Sequence, residues 1–332
     1  MVEKGLSVFY KDKIVVVTGG TGFVGTNFVE ELVRRGAKVR ITLHQRPPRL
    51  AMEGVEIIRA DLTRPEDCLA AMEGVDYVIH AAGPVTGAAV TSGAAKLPVK
   101  MPGIPINLTL GANVLQAAWT MNVQRFLLLG STSIYPVVAR PIREEEGWDE
   151  PVHPSYFGYG WMRRYLERLA EYVAGQSAMK IAIVRPTAVY GRWDNFDPQT
   201  SHVVPALVRK AVERMAPYEV WGTGDEVRDF LHVTDLVQGG LAALEKHAVC
   251  DPVNLGYGQS FTIRQLVQAT LNAAGYSDAK IVFNSSKPTT IPVRIVDISK
   301  ARKALGFEPR VSLEQGLADT VQWYRTTAAG RA

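Results

Sequence analysis

The chain has 332 residues, of which 47% are hydrophobic and 21% charged, with a formal net charge of +4. That length permits a sizeable buried core, as one large α/β domain or a large and a small one. Composition and charge exclude a transmembrane helix, for no apolar run approaches the ~18 residues one needs, and the scattered basic residues give no clustered face for nucleic acid.

The first 13 residues mix charge with a short apolar stretch and do not read as a signal peptide. Residues 14–17 form an apolar run that ends in a glycine-rich turn. Residues 23–35 then carry Val24, Phe28, Val29, Leu32 and Val33 at helical spacing, with Gly36 as the stop. Residues 39–43 and 55–58 read as the second and third strands, and 64–72 as a helix. Residues 77–79 read as the fourth strand, 106–121 as a helix, 126–129 as the fifth strand and 181–184 as the sixth. Strands alternating with helices predict a Rossmann-type, doubly wound parallel sheet covered on both faces. The connection 83–105 is rich in Gly, Ala and Pro and has no period. A connection of that length is functional or a surface insertion, and we read it as a lid. After Tyr190 turn-rich stretches separate shorter elements, with helical patterns at 203–214, 263–274 and 313–324, a smaller C-terminal α/β region. Cys68 and Cys250 stand far apart and read as reduced thiols of a cytoplasmic protein.

The segment Thr18-Gly19-Gly20-Thr21-Gly22-Phe23-Val24-Gly25 follows the first strand and opens the first helix. Gly19 permits the tight turn, Gly22 lets the backbone approach a pyrophosphate, and Gly25 lets the helix sit close to the sheet. The free N–H groups of the helix start face the anion, so the loop, with Thr21, Phe23 and Val24, predicts dinucleotide binding. Residues 1–190 are thus the dinucleotide-binding domain and 191–332 mainly a substrate region, with some segments returning to the first. Strand two ends in Leu43-His44-Gln45-Arg46, without the carboxylate that holds the ribose hydroxyls of NAD. Arg46, with His44 beside it, suits a 2′-phosphate, which favours NADP(H) and leaves NAD(H) open.

Strand five runs into Gly130-Ser131-Thr132-Ser133-Ile134-Tyr135-Pro136. If this stretch is extended, Ser131 and Ser133 share one face and Thr132 takes the other. Further on, Tyr159 and Arg163 stand four apart at the start of a helix and share a face. A cation there stabilises tyrosinate, so Tyr159 can exchange a proton with a carbonyl or hydroxyl while a nicotinamide exchanges hydride. Ser131 would hydrogen-bond the same oxygen.

The glycine spacing, Asp61-Leu62 after strand three, Ala81-Ala82-Gly83 after strand four and the Ser131, Tyr159, Arg163 set resemble the extended short-chain dehydrogenase/reductases, with Arg163 where lysine is usual. Arginine keeps the charge but does not deprotonate. The stretches 128–136, 186–191, 194–207 and 221–233, together with Leu305-Gly306-Phe307-Glu308-Pro309, are similar to the GDP-fucose synthase-like epimerase/reductases, almost over the whole chain. That resemblance implies a nucleotide-sugar substrate, GDP-linked, reduced at a 4-ketone. It implies Asp61, Leu62, Ala81, Ala82, Gly83 and Pro186 at the cofactor, and Asn195, His202, Arg209, Trp221, Arg228 and Lys287 at the substrate. In that family a cysteine and a histidine move protons at the carbons flanking the ketone. His202 matches the histidine, and Ser133 stands at the cysteine's position. A serine is a far poorer base than a thiolate, so simple reduction, or epimerisation by another route, becomes more attractive than double epimerisation. The alternatives are an NAD-retaining nucleotide-sugar 4-epimerase and, from a different class, a non-catalytic dinucleotide-sensing module, which Arg163 favours. No metal site is read, and the resemblance implies a homodimer.

Overall fold

The computed structural model describes residues 8–49, 53–84, 103–149 and 151–329. Its first strands are β1 (Ile14–Thr18), β2 (Lys38–Leu43), β3 (Glu56–Arg59), β4 (Tyr77–His80), β5 (Arg125–Leu129) and β6 (Lys180–Pro186). Shorter ones follow: β7 (Ala188–Tyr190), β8 (Tyr218–Trp221), β9 (Val227–Arg228), β10 (Phe230–His232), β11 (Val253–Leu255), β12 (Phe261–Thr262), β13 (Ile281–Asn284) and β14 (Val293–Arg294). The helices are α1 (Phe23–Arg34), α2 (Pro65–Met72), α3 (Ile104–Thr120), α4 (Phe157–Gln176), α5 (Val203–Val212), α6 (Val233–Lys246), α7 (Ile263–Ala274), α8 (Ser299–Leu305) and α9 (Leu313–Ala329).

Seven strands form one parallel sheet in the order β11-β6-β5-β4-β1-β2-β3. Alternate residues of β1 serve opposite faces, as a strand requires. Val15 and Val17 pack with Phe28 and Leu32 of α1 and Leu236 and Leu241 of α6. Val16 packs on the other side with Cys68 of α2, Val114 of α3 and Leu166 of α4. Because both faces are covered, the central strands read as unbroken apolar runs. Burying one such Val or Leu stabilises by about 1.5–3 kcal/mol, so the sheet is a rigid support for whatever its loops carry.

The strand order reverses between β1 and β4, and ligands of open α/β sheets bind at the carboxyl ends of the strands where this happens. A third core, with Tyr190, Leu207, Tyr218, Phe230, Leu266 and Leu317, joins α5, α7 and α9 to the short strands beyond β6. The chain crosses back from there, because β11 extends the main sheet beside β6. The proposed lid lies outside the described residues except at its ends, residues 83–84 and 103–105. Among the described residues no helix is long and apolar enough to cross a membrane, no group of side chains is arranged to hold a metal, and both cysteines are free thiols.

Candidate active site

The glycine turn sits at the reversal point. Gly19 has φ 68°, a conformation that side chains rarely adopt, and a Cβ there would lie 2.7 Å from Ala82 Cα. A Cβ on Gly25 would collide with the Gly19 carbonyl oxygen. Gly22 N donates to Gly19 O (2.8 Å) and Gly19 N to Thr42 Oγ1 (3.2 Å), which closes the turn. Gly22 caps α1 without any side-chain hydrogen bond, so the first N–H groups of the helix are left to a ligand. A turn with glycine at every position but Thr21 that ends in an uncapped helix start fits a pyrophosphate. The ends of β1 and β4 are pinned together by a pair that sequence reasoning missed. Ala82 N donates to Thr18 Oγ1 (3.3 Å), and the same hydroxyl shares a hydrogen bond with His80 Nδ1 (2.8 Å). Burial, helped by the Arg163 charge, pushes His80 down to about 3, so its ring stays neutral.

At the adenosine side, His44 and Asp61 are both partly exposed, Nε2 to Oδ2 3.8 Å. The Thr63 hydroxyl (2.7 Å) and amide (3.0 Å) both donate to Asp61 Oδ1 and hold its carboxyl below the usual range. Arg46 is exposed just beyond β2. Leu62 instead turns its side chain into the core, and its carbonyl accepts from Asn113 Nδ2 (3.1 Å). Gly83 lies against the amide of Asn107, which donates to Pro84 O (2.9 Å). Pro186, the last residue of β6, pairs with Leu255.

The condition that the serine stretch be extended is met only at Ser131. Ser131 is extended (φ −162°, ψ 145°), but Thr132–Ile134 form a 3₁₀ turn. Ser131 Oγ caps that turn by accepting from Ser133 N (3.1 Å), a local bond that outcompetes continuation of the strand. The alternation of faces is therefore lost. Ser133 Oγ is buried without a partner among the described residues.

Tyr159 lies in the first turn of α4, and the expected helix-face contact is made. Arg163 Nη2 donates to the Tyr159 hydroxyl oxygen at 2.7 Å, and the guanidinium carbon stands 5.0 Å from the ring centre. The other arm, Nη1, donates to Leu129 O at 3.0 Å, two residues before Ser131. Three further features hold α4 to this turn. Gly160 passes so close that a Cβ would lie 2.6 Å from Ser133 O. Arg164 Nη2 donates to Ile134 O (2.9 Å). Glu167 takes a two-pronged, fully buried ion pair from Arg185 of β6 (3.1 and 2.6 Å), whose Nη1 also reaches Tyr135 OH (2.8 Å). Tyr159, Arg163 and the Ser131–Ser133 turn are thus one rigid unit.

His202 caps α5 with its backbone. It keeps solvent exposure, yet the surrounding protein lowers its pKa below the ordinary histidine value. The lowered pKa leaves the imidazole neutral at pH 7. Asn195 is committed locally, donating to Thr200 Oγ1 (2.8 Å) and accepting from Asp197 N (3.2 Å). Arg209 pairs with Glu213 one turn on (2.9 Å). Arg228 is held only by neutral acceptors: Val227 O (2.8 Å), Pro292 O (3.2 Å), Thr290 Oγ1 (3.4 Å) and Ile291 O. Beside it in register stands Arg294, a residue sequence reasoning missed, donating to Pro136 O (2.7 Å) and Tyr135 O (3.1 Å). Burial lowers the pKa of both, Arg294 to about 10. Two adjoining, desolvated guanidiniums without an ion pair among the described residues are a ready site for a diphosphate. Lys287 Nζ stands 5.7 Å from the centre of the Trp221 ring.

Comparison with known proteins agrees with this geometry. The family model for the NAD dependent epimerase/dehydratase family matches residues 15–256. The chain is 33% identical to a probable GDP-L-fucose synthase 1 of Oryza sativa subsp. japonica, over 98% of this chain and 93% of that one. It is 32% identical to a GDP-L-fucose synthase of Escherichia coli (strain K12), over 93% and 96%. A UDP-glucose 4-epimerase of Thermotoga maritima, solved with UDP-glucose, shares the fold with a TM-score of 0.82 at 24% identity, covering 95% and 99%. On the glycine turn, the tyrosine–arginine pair and these likenesses together, the chain belongs to the NAD dependent epimerase/dehydratase family.

Proposed function

We propose that this chain is an NADP(H)-dependent reductase of a GDP-linked 4-keto-6-deoxy sugar. The observation that carries the reading is the Arg163–Tyr159 hydrogen bond, anchored by the other arm of Arg163 to Leu129 O two residues before Ser131, and the names of the full-length relatives direct it to GDP-sugars. When bound, the nicotinamide supplies the hydride for C4. The 19–25 turn holds its pyrophosphate, and Arg46 at a β2 end without a carboxylate supports NADP(H) over NAD(H). Tyr159 OH gives its proton to the ketone oxygen as that oxygen becomes an alkoxide. Arg163, which already donates to the phenol oxygen, stabilises the tyrosinate left behind. Ser131 Oγ uses a lone pair on Ser133 N and keeps its own hydrogen for the same ketone oxygen.

Inverting the carbons beside the ketone needs a base and an acid on opposite ring faces. His202 can serve as one, but the Ser133 alcohol cannot serve as the other near neutral pH. The reduction therefore proceeds without inversion. We read the chain as cytoplasmic and as a homodimer that pairs the exposed Trp161, Tyr165 and Tyr172 of α4. The test is cofactor oxidation with a GDP-4-keto-6-deoxy sugar in D₂O. NADPH consumed one for one, with deuterium absent from C3 and C5 of the product, is expected. Tyr159→Phe should remove most of the rate. Turnover without net NADPH loss would instead mean epimerisation at C3 or C5, whereas an NAD-retaining 4-epimerase would leave the 4-keto sugar unchanged and interconvert GDP-linked 4-hydroxy sugars.

A further inference from the structure

Strand β8 shows its two faces clearly: Tyr218 and Val220 are core residues, whereas Glu219 and Trp221 share the half-buried outer face. Its parallel neighbour β13 places Val282 beside Glu219 and Asn284 beside Trp221. Asn284 Nδ2 donates to Glu219 Oε1 at 2.7 Å. The amide is itself fixed, because its oxygen accepts from Ser286 N (3.1 Å) and Oγ (2.6 Å). That hydrogen bond, with the charges of Lys210 and Lys287 and a further hydrogen bond from the Trp221 side chain, keeps the Glu219 carboxyl below its ordinary range and so ionised at neutral pH, with lone pairs still open beyond these two donors. The segment from β13 to β14 carries Thr290, Ile291 and Pro292, whose oxygens hold Arg228. The Trp221 face and the arginine pair are therefore joined by one short stretch of chain.

An ionised carboxylate near a diphosphate site costs affinity unless the ligand gives it donors. We propose that Glu219 is a specificity residue that reads the guanine base of the nucleotide, on the platform of Trp221 and opposite Lys287; the inference rests on the nucleotide-sugar reading above. Guanine places N1–H and the N2 amino group side by side, which matches a carboxylate with free lone pairs, and its O6 accepts from a lysine. An aromatic face stacks any base and gives affinity without choice. Uracil and thymine flank their one N–H with two carbonyl oxygens, and adenine presents an acceptor at N1, so a fixed anion disfavours all three.

The experiment measures binding of GDP, IDP and UDP to the full chain and to Glu219→Gln. IDP lacks only the N2 amino group. Glutamine keeps the size and the Asn284 contact at a half-exposed position, and UDP affinity reports that the variant's site is intact. The wild type should bind GDP about tenfold more tightly than IDP, the worth of one charge-assisted hydrogen bond. In Glu219→Gln the GDP-to-IDP ratio should fall to near one, with UDP binding unchanged or better. A wild type that prefers GDP, with a ratio that the substitution leaves alone, overturns the role of Glu219 but not the GDP reading. A wild type that prefers UDP overturns both.

Discussion

Arg163 stands where the Tyr-x-x-x-Lys pattern that the sequence resembles would have lysine, and its geometry lets the consequence be worked out. Its fork spans two acceptors, Tyr159 OH at 2.7 Å and Leu129 O at 3.0 Å. Only the first changes during the reaction, because the phenol oxygen gains negative charge as its proton leaves. A hydrogen bond to a charged partner is worth about 1.5–3 kcal/mol. Removing it with Arg163→Met should lower kcat/KM by roughly 10- to 150-fold, since each 1.36 kcal/mol is a factor of ten. The loss should fall on kcat rather than on KM for the sugar nucleotide, because the bond strengthens in the transition state. Arg163→Lys keeps a cation four residues from the tyrosine and should stay active or gain activity. The assay is steady-state NADPH oxidation, with kcat and KM separated. A Met variant within twofold of wild type would refute the assigned role of the charge. An inactive Lys variant would show that the second arm, on Leu129 O, is what catalysis needs.

The turn that holds the cofactor should not tolerate a methyl group: Gly25→Ala, which collides with the Gly19 carbonyl, is expected to abolish NADPH binding by fluorescence titration while the fold survives by circular dichroism. Glu167→Ala leaves the fully buried Arg185 guanidinium without its carboxylate, a loss of about 3–5 kcal/mol. With an unfolding entropy of about 0.7 kcal/mol/K for a chain of this size, the melting temperature should fall by about 6 °C; a shift under 1 °C would contradict it. Asp194 is buried, and desolvation lifts its carboxyl from 3.8 to about 7 against the Asn195 amide and the Arg49 charge. A raised folded pKa means that the native state holds a proton which the unfolded chain releases, so this contribution is complete below about pH 3.8 and is lost as pH climbs through about 7, by up to about 4 kcal/mol. Asp194→Asn should therefore flatten stability between those limits and stabilise the protein at pH 8, as read from denaturant midpoints.

What the sequence disclosed and what it withheld follow from the range of the interactions concerned. Strands β1, β2 and β4–β6 were legible because burial on both faces demands runs of Val, Ile and Leu, a signal contained in four or five residues. The glycine turn was legible because close backbone approach excludes side chains at fixed spacing. The Tyr159–Arg163 contact was legible because a helix brings residues four apart together. The turn at Thr132–Ile134 was left open because one side-chain hydrogen bond, from Ser133 N to Ser131 Oγ, decides it, and strand propensity does not register such a bond. The pairing of Arg228 with Arg294 depends on the register of two-residue strands whose positions are set by everything folded around them. Glu219 stayed silent for the same reason, since a carboxylate on a short strand becomes informative only once Asn284 and Lys287 stand beside it. The residues proposed for the chemistry are local to two segments, and so their contact was visible to a reading of the sequence. The residues proposed to choose the substrate are assembled from β8, β9, β13 and β14, so chemistry shared across a family could coexist there with base preferences that single substitutions change.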